Sequence, residues 1–166
     1  MWLYRTDGDT DRPIVLFDYQ PGRGACYPKA FLKNFRGYLH TDGYSGYHSL
    51  PDEITVVGCW AHTRRKFDEA MKSLPKGKAK NSSAAQGLAY CNLLFKIEEG
   101  LTGLPPKERY DQRLEQAKPV LDALLAWANT RTAAPKSSLG KALSYLKEQW
   151  PYLLNYLKDG RLELSN

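Results

Sequence analysis

Gly37-Tyr38-Leu39-His40-Thr41-Asp42-Gly43-Tyr44-Ser45-Gly46-Tyr47-His48 is the stretch on which the reading of this chain turns. Residues 38–41 have the composition of a short apolar strand, and the next residue, Asp42, is a carboxylate delivered to the strand's end. Gly43 then permits a sharp change of backbone direction that a residue with a Cβ resists. In open α/β sheets ligands gather beyond the carboxyl ends of strands, and an acid on the last rigid position is held more firmly than one on a free loop. Asp-Gly is also a frequent tight-turn pair with no chemistry attached, so on the dipeptide alone both readings of Asp42 stand.

Working outward, residues 1–6 alternate and carry aromatic side chains, which predicts a strand. The polar segment 7–12 reads as a turn and residues 14–19 as a second strand, with an apolar run suited to a central position, the two forming an antiparallel hairpin. Between 27 and 35, Ala30, Phe31 and Phe35 recur at helical spacing, so a helix crosses to the strand that precedes Asp42. Residues 45–50 predict one or two helical turns, and Ile54-Thr55-Val56-Val57-Gly58 a short buried strand. Hairpin, helix, strand, short helix, strand is an RNase H-like order. The expected fold is therefore α/β, a partial RNase H-like mixed sheet whose first strand would precede Met1.

From Ala61 onward the pattern is helical. Phe67, Ala70, Met71 and Leu74 mark one face of a first helix, and the basic loop 75–80 ends it. Ser83 and Gln86 have capping-box spacing for a second helix, with Leu88, Cys91, Leu94, Phe95, Ile97 and Leu101 as its apolar positions. After Pro105-Pro106 a third carries the stripe Tyr110, Leu114, Ala117, Leu121, Leu124 and Ala128, with a kink expected at Pro119. A fourth, through Leu139, Ala142, Leu143, Leu146 and Trp150, is expected to break at Pro151 and resume to Gly160. These boundaries predict three segments: a partial RNase H-like sheet region over 1–74, an all-helical region over 75–160, and a short final segment over 161–166.

Composition narrows the class. In 166 residues the chain carries 11 Tyr, 4 Trp and 5 Phe within a hydrophobic share of 42%, which predicts a folded domain rather than disorder. Lys and Arg number 24 against 18 Asp and Glu, a net charge of +6, which favours a polyanionic partner such as nucleic acid. Three cysteines, at 26, 59 and 91, are odd in number and far apart, arguing against a disulfide framework and for a reducing compartment. With no recognisable secretory signal and no apolar run near the ~20 residues a membrane span needs, a cytoplasmic location is expected.

The run 38–47 followed by Val57-Gly58-Cys59-Trp60-Ala61-His62-Thr63-Arg64-Arg65-Lys66-Phe67 resembles the core of a bacterial transposase of the insertion-sequence-sixty-six family, a DDE type. Met1-Trp2-Leu3-Tyr4-Arg5, Phe17-Asp18-Tyr19 with Arg23-Gly24, and Gly160-Arg161-Leu162-Glu163-Leu164-Ser165-Asn166 extend the likeness over nearly the whole chain. The resemblance implies metal-dependent DNA cleavage and strand transfer, with three carboxylates holding two Mg²⁺ or Mn²⁺ ions. Hard cations suit oxygen ligands, and such a pair stabilises both the attacking and the leaving oxygen. Asp42 matches the family's second carboxylate. The first is expected on a strand before Met1 and the third, a glutamate, beyond Asn166, so the chain by itself is expected to be inactive. The implied partners are DNA, at the element's ends and at the target, and further copies of the complete transposase.

Four more features bear on chemistry. Asp18 and Glu163 are acids that resemble the missing carboxylates by position only. Cys59 and His62 have zinc-like spacing, but a structural zinc site needs four ligands; the resemblance instead implies a signature that braces the active site or contacts DNA, and a half-buried Cys with a helix-capping His is the alternative that stands beside it. Trp60 with Arg64, Arg65 and Lys66 places an aromatic and three cations at the start of a helix, a set able to hold phosphates and stack an unpaired base, or, for the charges alone, a solvated face. Lys72, Lys76, Lys78 and Lys80 prolong the positive run. Two rivals remain open: a non-catalytic basic DNA-binding or interaction module that retains the fold, and an unrelated nuclease using Asp18 with Asp42.

Overall fold

Alternating aromatic and aliphatic residues set strand β1 (Trp2–Arg5) antiparallel to β2 (Val15–Asp18), pairing Trp2 with Asp18, Leu3 with Phe17, Tyr4 with Leu16 and Arg5 with Val15. The computed structural model describes residues 1–6 and 12–166, so nearly all of the turn expected over 7–12 lies outside the described residues. The described chain divides into two compact units, one of Met1–Leu39 with Tyr44–Val56 and the other of His40–Gly43 with Val57–Asn166.

In the first unit the hairpin is followed by α1 (Cys26–Phe31), which Leu32 closes by donating its N–H to the Pro28 carbonyl. Two expectations are corrected here. The apolar run of β2 is not central: among the described residues β2 pairs with β1 alone, and Val15, Leu16 and Phe17 are exposed, Phe17 by 64%. Helix α1 stops four residues earlier than its pattern predicts, and it buries Pro28, with Leu32 just beyond, rather than Ala30, Phe31 and Phe35. Phe31 instead stacks on Tyr4, ring centroids 4.0 Å apart and nearly parallel. Trp2 is buried, with Tyr44 and Tyr47 tilted and edge-on to it at 5.9 and 5.8 Å. The short helical segment after Asp42 is a 3₁₀ turn, Ser45–Ser49.

Strands β3 (Gly37–Thr41) and β4 (Ile54–Gly58) form a second two-stranded sheet, and each runs from the first unit into the second. Beyond β4 the second unit is helical. Helix α2 (Trp60–Lys72) packs on α3 (Ser83–Gly100) and on α6 (Ser138–Leu153). A glycine makes the first of these contacts possible, because a Cβ on Gly87 would lie 2.5 Å from the Phe67 ring. Ser82, one residue before the predicted cap, accepts the Ala85 N–H at 3.1 Å, and Ser137 caps α6 through the Gly140 N–H at 3.0 Å. Val57, Trp60, Phe67, Cys91, Leu94, Leu121, Leu124, Trp127, Leu146 and Leu153 are core residues of this unit.

The third predicted helix is a composite of α4 (Pro106–Gln112), a π-helical turn (Arg113–Ala117) and α5 (Lys118–Asn129). The wide turn ends two residues before Pro119, where the regular ladder lacks an N–H, so the cost of the proline is met by a change of helix type. It also changes which side chain faces inward. From Ala117 on the predicted stripe is buried, but ahead of it Leu114 is 40% exposed and Arg113 is fully buried. Helix α6 runs through the exposed Pro151 without the predicted break and gives way to a 3₁₀ segment only at Leu154–Lys158. Leu162 and Leu164 bring the last residues into the core. No helix of the described residues is long and apolar enough to cross a membrane.

Candidate functional site

Asp42 lies one residue past the end of β3, with an exposed side chain, between the buried Thr41 and the turn glycine. Gly43 has φ +83°, the left-handed conformation expected of it. The backbone here is fastened by α6: Tyr145 Oη donates to the Asp42 carbonyl oxygen at 3.0 Å. A Cβ at residue 43 would lie 2.7 Å from Tyr145 Oη and 3.1 Å from Gln149 Oε1. Gly43→Ala is therefore expected to lower stability by about 1–2 kcal/mol through the unfavourable φ alone, and to displace Tyr145 as well. Thermal unfolding of the two proteins checks this, and equal midpoints would mean the turn relaxes without α6.

Helix α2 supplies the charge around this turn. Lys66 Nζ sits 4.8 Å from the centroid of the Tyr145 ring, a cation over an aromatic face. His62 is half-buried, with a buried Nδ1 that has no hydrogen-bond partner among the described residues. Burial, then the charges of Arg65 and Lys66, hold its pKa below the usual imidazole value against the opposing pull of Asp42. Tyr145 is pushed up to about 12 by burial and then by Cys59 and Asp42. Asp42, His62, Arg65, Lys66 and Tyr145 are thus one electrostatic neighbourhood built from β3, α2 and α6.

Cys59 is buried and occupies the N-cap position of α2 without a side-chain hydrogen bond, and His62 donates its backbone N–H to the Cys59 carbonyl at 3.2 Å. Trp60 corrects the expectation of a base-stacking aromatic. It is 0% exposed, edge-on to Trp150 at 6.0 Å, with its Nε1 donating to the Leu153 carbonyl at 3.1 Å and its backbone N–H to Leu164 at 3.1 Å. A tryptophan at the start of α2 faces the core because the adjoining β4 is itself buried. Arg64 Nε donates to Asn92 Oδ1 at 2.7 Å and its guanidinium lies over Phe95 at 5.3 Å, while Arg65 is exposed. Lys72 pairs with Asp68 at 2.6 Å, and Lys76, Lys78 and Lys80 are exposed. The two lookalike acids are engaged elsewhere. Asp18 accepts from Gln20 at 3.0 and 3.1 Å, and Glu163 is held in a two-pronged pair by Arg109 at 3.1 and 3.0 Å.

The profile of the family described as "Transposase IS66 family" matches residues 1–166, the whole chain. The chain belongs to the IS66 transposase family. Two relatives from Sinorhizobium fredii (strain NBRC 101917 / NGR234) are similar over all of it: uncharacterized protein y4hP, 29% identical, and uncharacterized protein y4qI, 28% identical. The alignments cover 34% and 33% of those relatives, so the chain spans about a third of their length. No solved structure matches it.

For an IS66 transposase the name implies divalent metal in the whole enzyme, and the residues here can be tested against that. Among the described residues no three His, Cys, Asp or Glu side chains are placed to hold a metal ion. Beside Asp42, the other charges that act on His62 are those of Arg65 and Lys66, whose sign is opposite to what a cation site needs. The described residues alone do not fit a metal pair. Sequence reading missed Tyr145 and Gln149. The available signal was their spacing: two polar residues one helical turn apart, interrupting the apolar positions Leu146 and Trp150 of α6.

Proposed function

We propose that this chain is the middle of a DDE transposase catalytic region, and that Asp42 is one of the carboxylates with which the whole protein cleaves and rejoins DNA. The observation that carries the reading is the family match over the full chain, taken with an exposed carboxylate on a braced turn at a strand end. In this reading residues 1–74 are part of an RNase H-like core, 75–160 a helical insertion and 161–166 the return to the core. The remaining carboxylates come from outside the chain, which by itself is inactive. In the whole protein a bound metal would supply the activation of water or a 3′-hydroxyl; the part of this chain is that Tyr145 and Gly43 hold the Asp42 turn in place. Cys59 and His62 brace the start of α2. The protein acts in the cytoplasm, on element ends and target DNA, as an oligomer of itself.

A protein extended to the length of its relatives, assayed for Mg²⁺-dependent nicking and strand transfer on DNA bearing the element's ends, tests this. Absence of product, with DNA binding retained, would favour the alternative of a non-catalytic DNA-binding module with the same fold.

DNA binding itself rests on Arg64, Arg65 and Lys66. Replacing all three by Ala is expected to weaken duplex binding and reduce the slope of log K against log salt by roughly one for each phosphate no longer neutralised. Anisotropy titrations over a range of salt measure both, and an unchanged slope would remove the cluster from the DNA surface.

A further inference from the structure

With Trp60 in the core, the aromatic face on the outside of α2 comes from another helix. Ala61, Arg64, Arg65 and Asp68 on α2 and Leu88, Asn92 and Phe95 on α3 enclose an open groove of about 340 Å³. That lies within the range of roughly 300–1,000 Å³ in which small-ligand sites fall. One wall is apolar, from Ala61, Leu88 and the partly buried Phe95. The other carries two guanidinium groups from consecutive residues.

Arg64 is set in advance. Its Nε is tied to Asn92 Oδ1 at 2.7 Å and its plane lies over the Phe95 ring at 5.3 Å. Among the described residues its terminal nitrogens, like the guanidinium of Arg65, make no hydrogen bond or ion pair with protein. A side chain already held in one arrangement loses little rotamer freedom when a ligand arrives, and the guanidinium fork matches phosphate geometry. A flat cation on an aromatic ring, beside an apolar wall and an amide, also suits a nucleobase.

We propose that the α2–α3 groove binds one nucleotide unit of single-stranded DNA, with the phosphate on Arg64 and Arg65 and the base against Phe95 and Leu88. This rests on the DNA-binding reading above and goes beyond it, because duplex DNA, whose bases are stacked inside, has no group to place on Phe95. The unpaired strand that DNA cleavage exposes is the chemistry the groove fits.

The test compares a fluorescein-labelled dT12 single strand with a 12-base-pair duplex by anisotropy. Phe95→Leu retains an apolar side chain but removes the ring, and is expected to weaken single-strand binding about tenfold while changing duplex affinity less than about twofold. Asn92→Ala, at an exposed position, releases Arg64 and is expected to weaken the single strand several-fold, which covers the case in which Phe95→Leu fails to fold. An iododeoxyuridine-substituted single strand is expected to cross-link the unaltered protein within residues 88–95. Equal losses on single strand and duplex, no loss on either, or a cross-link elsewhere would overturn the groove assignment while leaving duplex binding in place. Failure of the chain to bind either DNA would remove both readings.

Discussion

Asp42→Asn, made in the protein extended to the length of its relatives, is expected to reduce Mg²⁺-dependent strand transfer by at least about a hundredfold. The substitution keeps the side-chain shape and removes the charge that a hard cation requires. It leaves the brace alone, since Tyr145 donates to the Asp42 main-chain oxygen and not to the carboxylate. Stability is therefore expected to change by less than about 0.5 kcal/mol, as for other exposed positions. DNA affinity and its salt dependence are expected to persist, because the proposed DNA contacts are the α2 cations and not Asp42. Asp18→Asn is the matched control. That carboxylate is occupied by Gln20, and its loss is expected to leave strand transfer within a few-fold. Activity retained by Asp42→Asn in an otherwise active protein would transfer the role to a different acid.

The largest effect on stability is expected at Arg113. Its guanidinium is fully buried and donates to Glu98 Oε2 at 3.0 Å and Oε1 at 2.5 Å, to the carbonyls of Tyr156 and Asp159 at 3.1 and 3.0 Å, and to that of Leu162 at 2.5 Å. One side chain thus ties α3, the π turn and the chain's return segment together. Arg109 pairs with the same Glu98 and reaches on to Glu163. Arg113→Met fills a similar volume but leaves three carbonyls and much of a carboxylate without their donor, and is expected to cost about 3–5 kcal/mol. Leu114→Ala is expected to cost under about 1 kcal/mol, because the neighbouring residue is on the outside of the π turn. Urea unfolding of both variants decides the point. A larger loss at Leu114 than at Arg113 would mean that the helix is regular and the arginine faces solvent.

The same network sets an acid limit. Burial alone would raise the Glu98 carboxyl, but hydrogen bonds and charge from Arg113 and Arg109 outweigh it and hold it below the ordinary 4.5. A carboxyl with a depressed folded-state pKa contributes stability that is complete above its unfolded value and disappears as pH falls through the folded one. Stability is therefore expected to drop below about pH 4.5, and the drop is expected to be smaller in Glu98→Gln, which has no proton to take up.

Local order was legible because it depends on neighbours in sequence. Alternation placed β1, an apolar run placed β2, β-branched residues placed β4, and the serine cap of α3 fell within one residue of its predicted site. Asp42 and Gly43 were legible for the same reason: a strand end followed by a residue free to take positive φ is a local signal. Tertiary structure alone decided what each face meets. The run 14–19 has the hydrophobicity of a central strand, yet among the described residues it pairs with β1 alone and Phe17 is exposed, since the number of strands in a sheet is not a property of any one of them. Trp60 and Arg113 both enter the core, the aromatic against its expected role as a base-stacking surface and the cation against its charge. For Trp60 the reason is the buried end of β4 that α2 continues; for Arg113 it is a π turn, which shifts the inward position by one residue and supplies Glu98 and three carbonyls to receive the charge. Tyr145 meets the Asp42 carbonyl across 103 residues of sequence, a separation at which periodicity carries no information and only packing of α6 selects the partner.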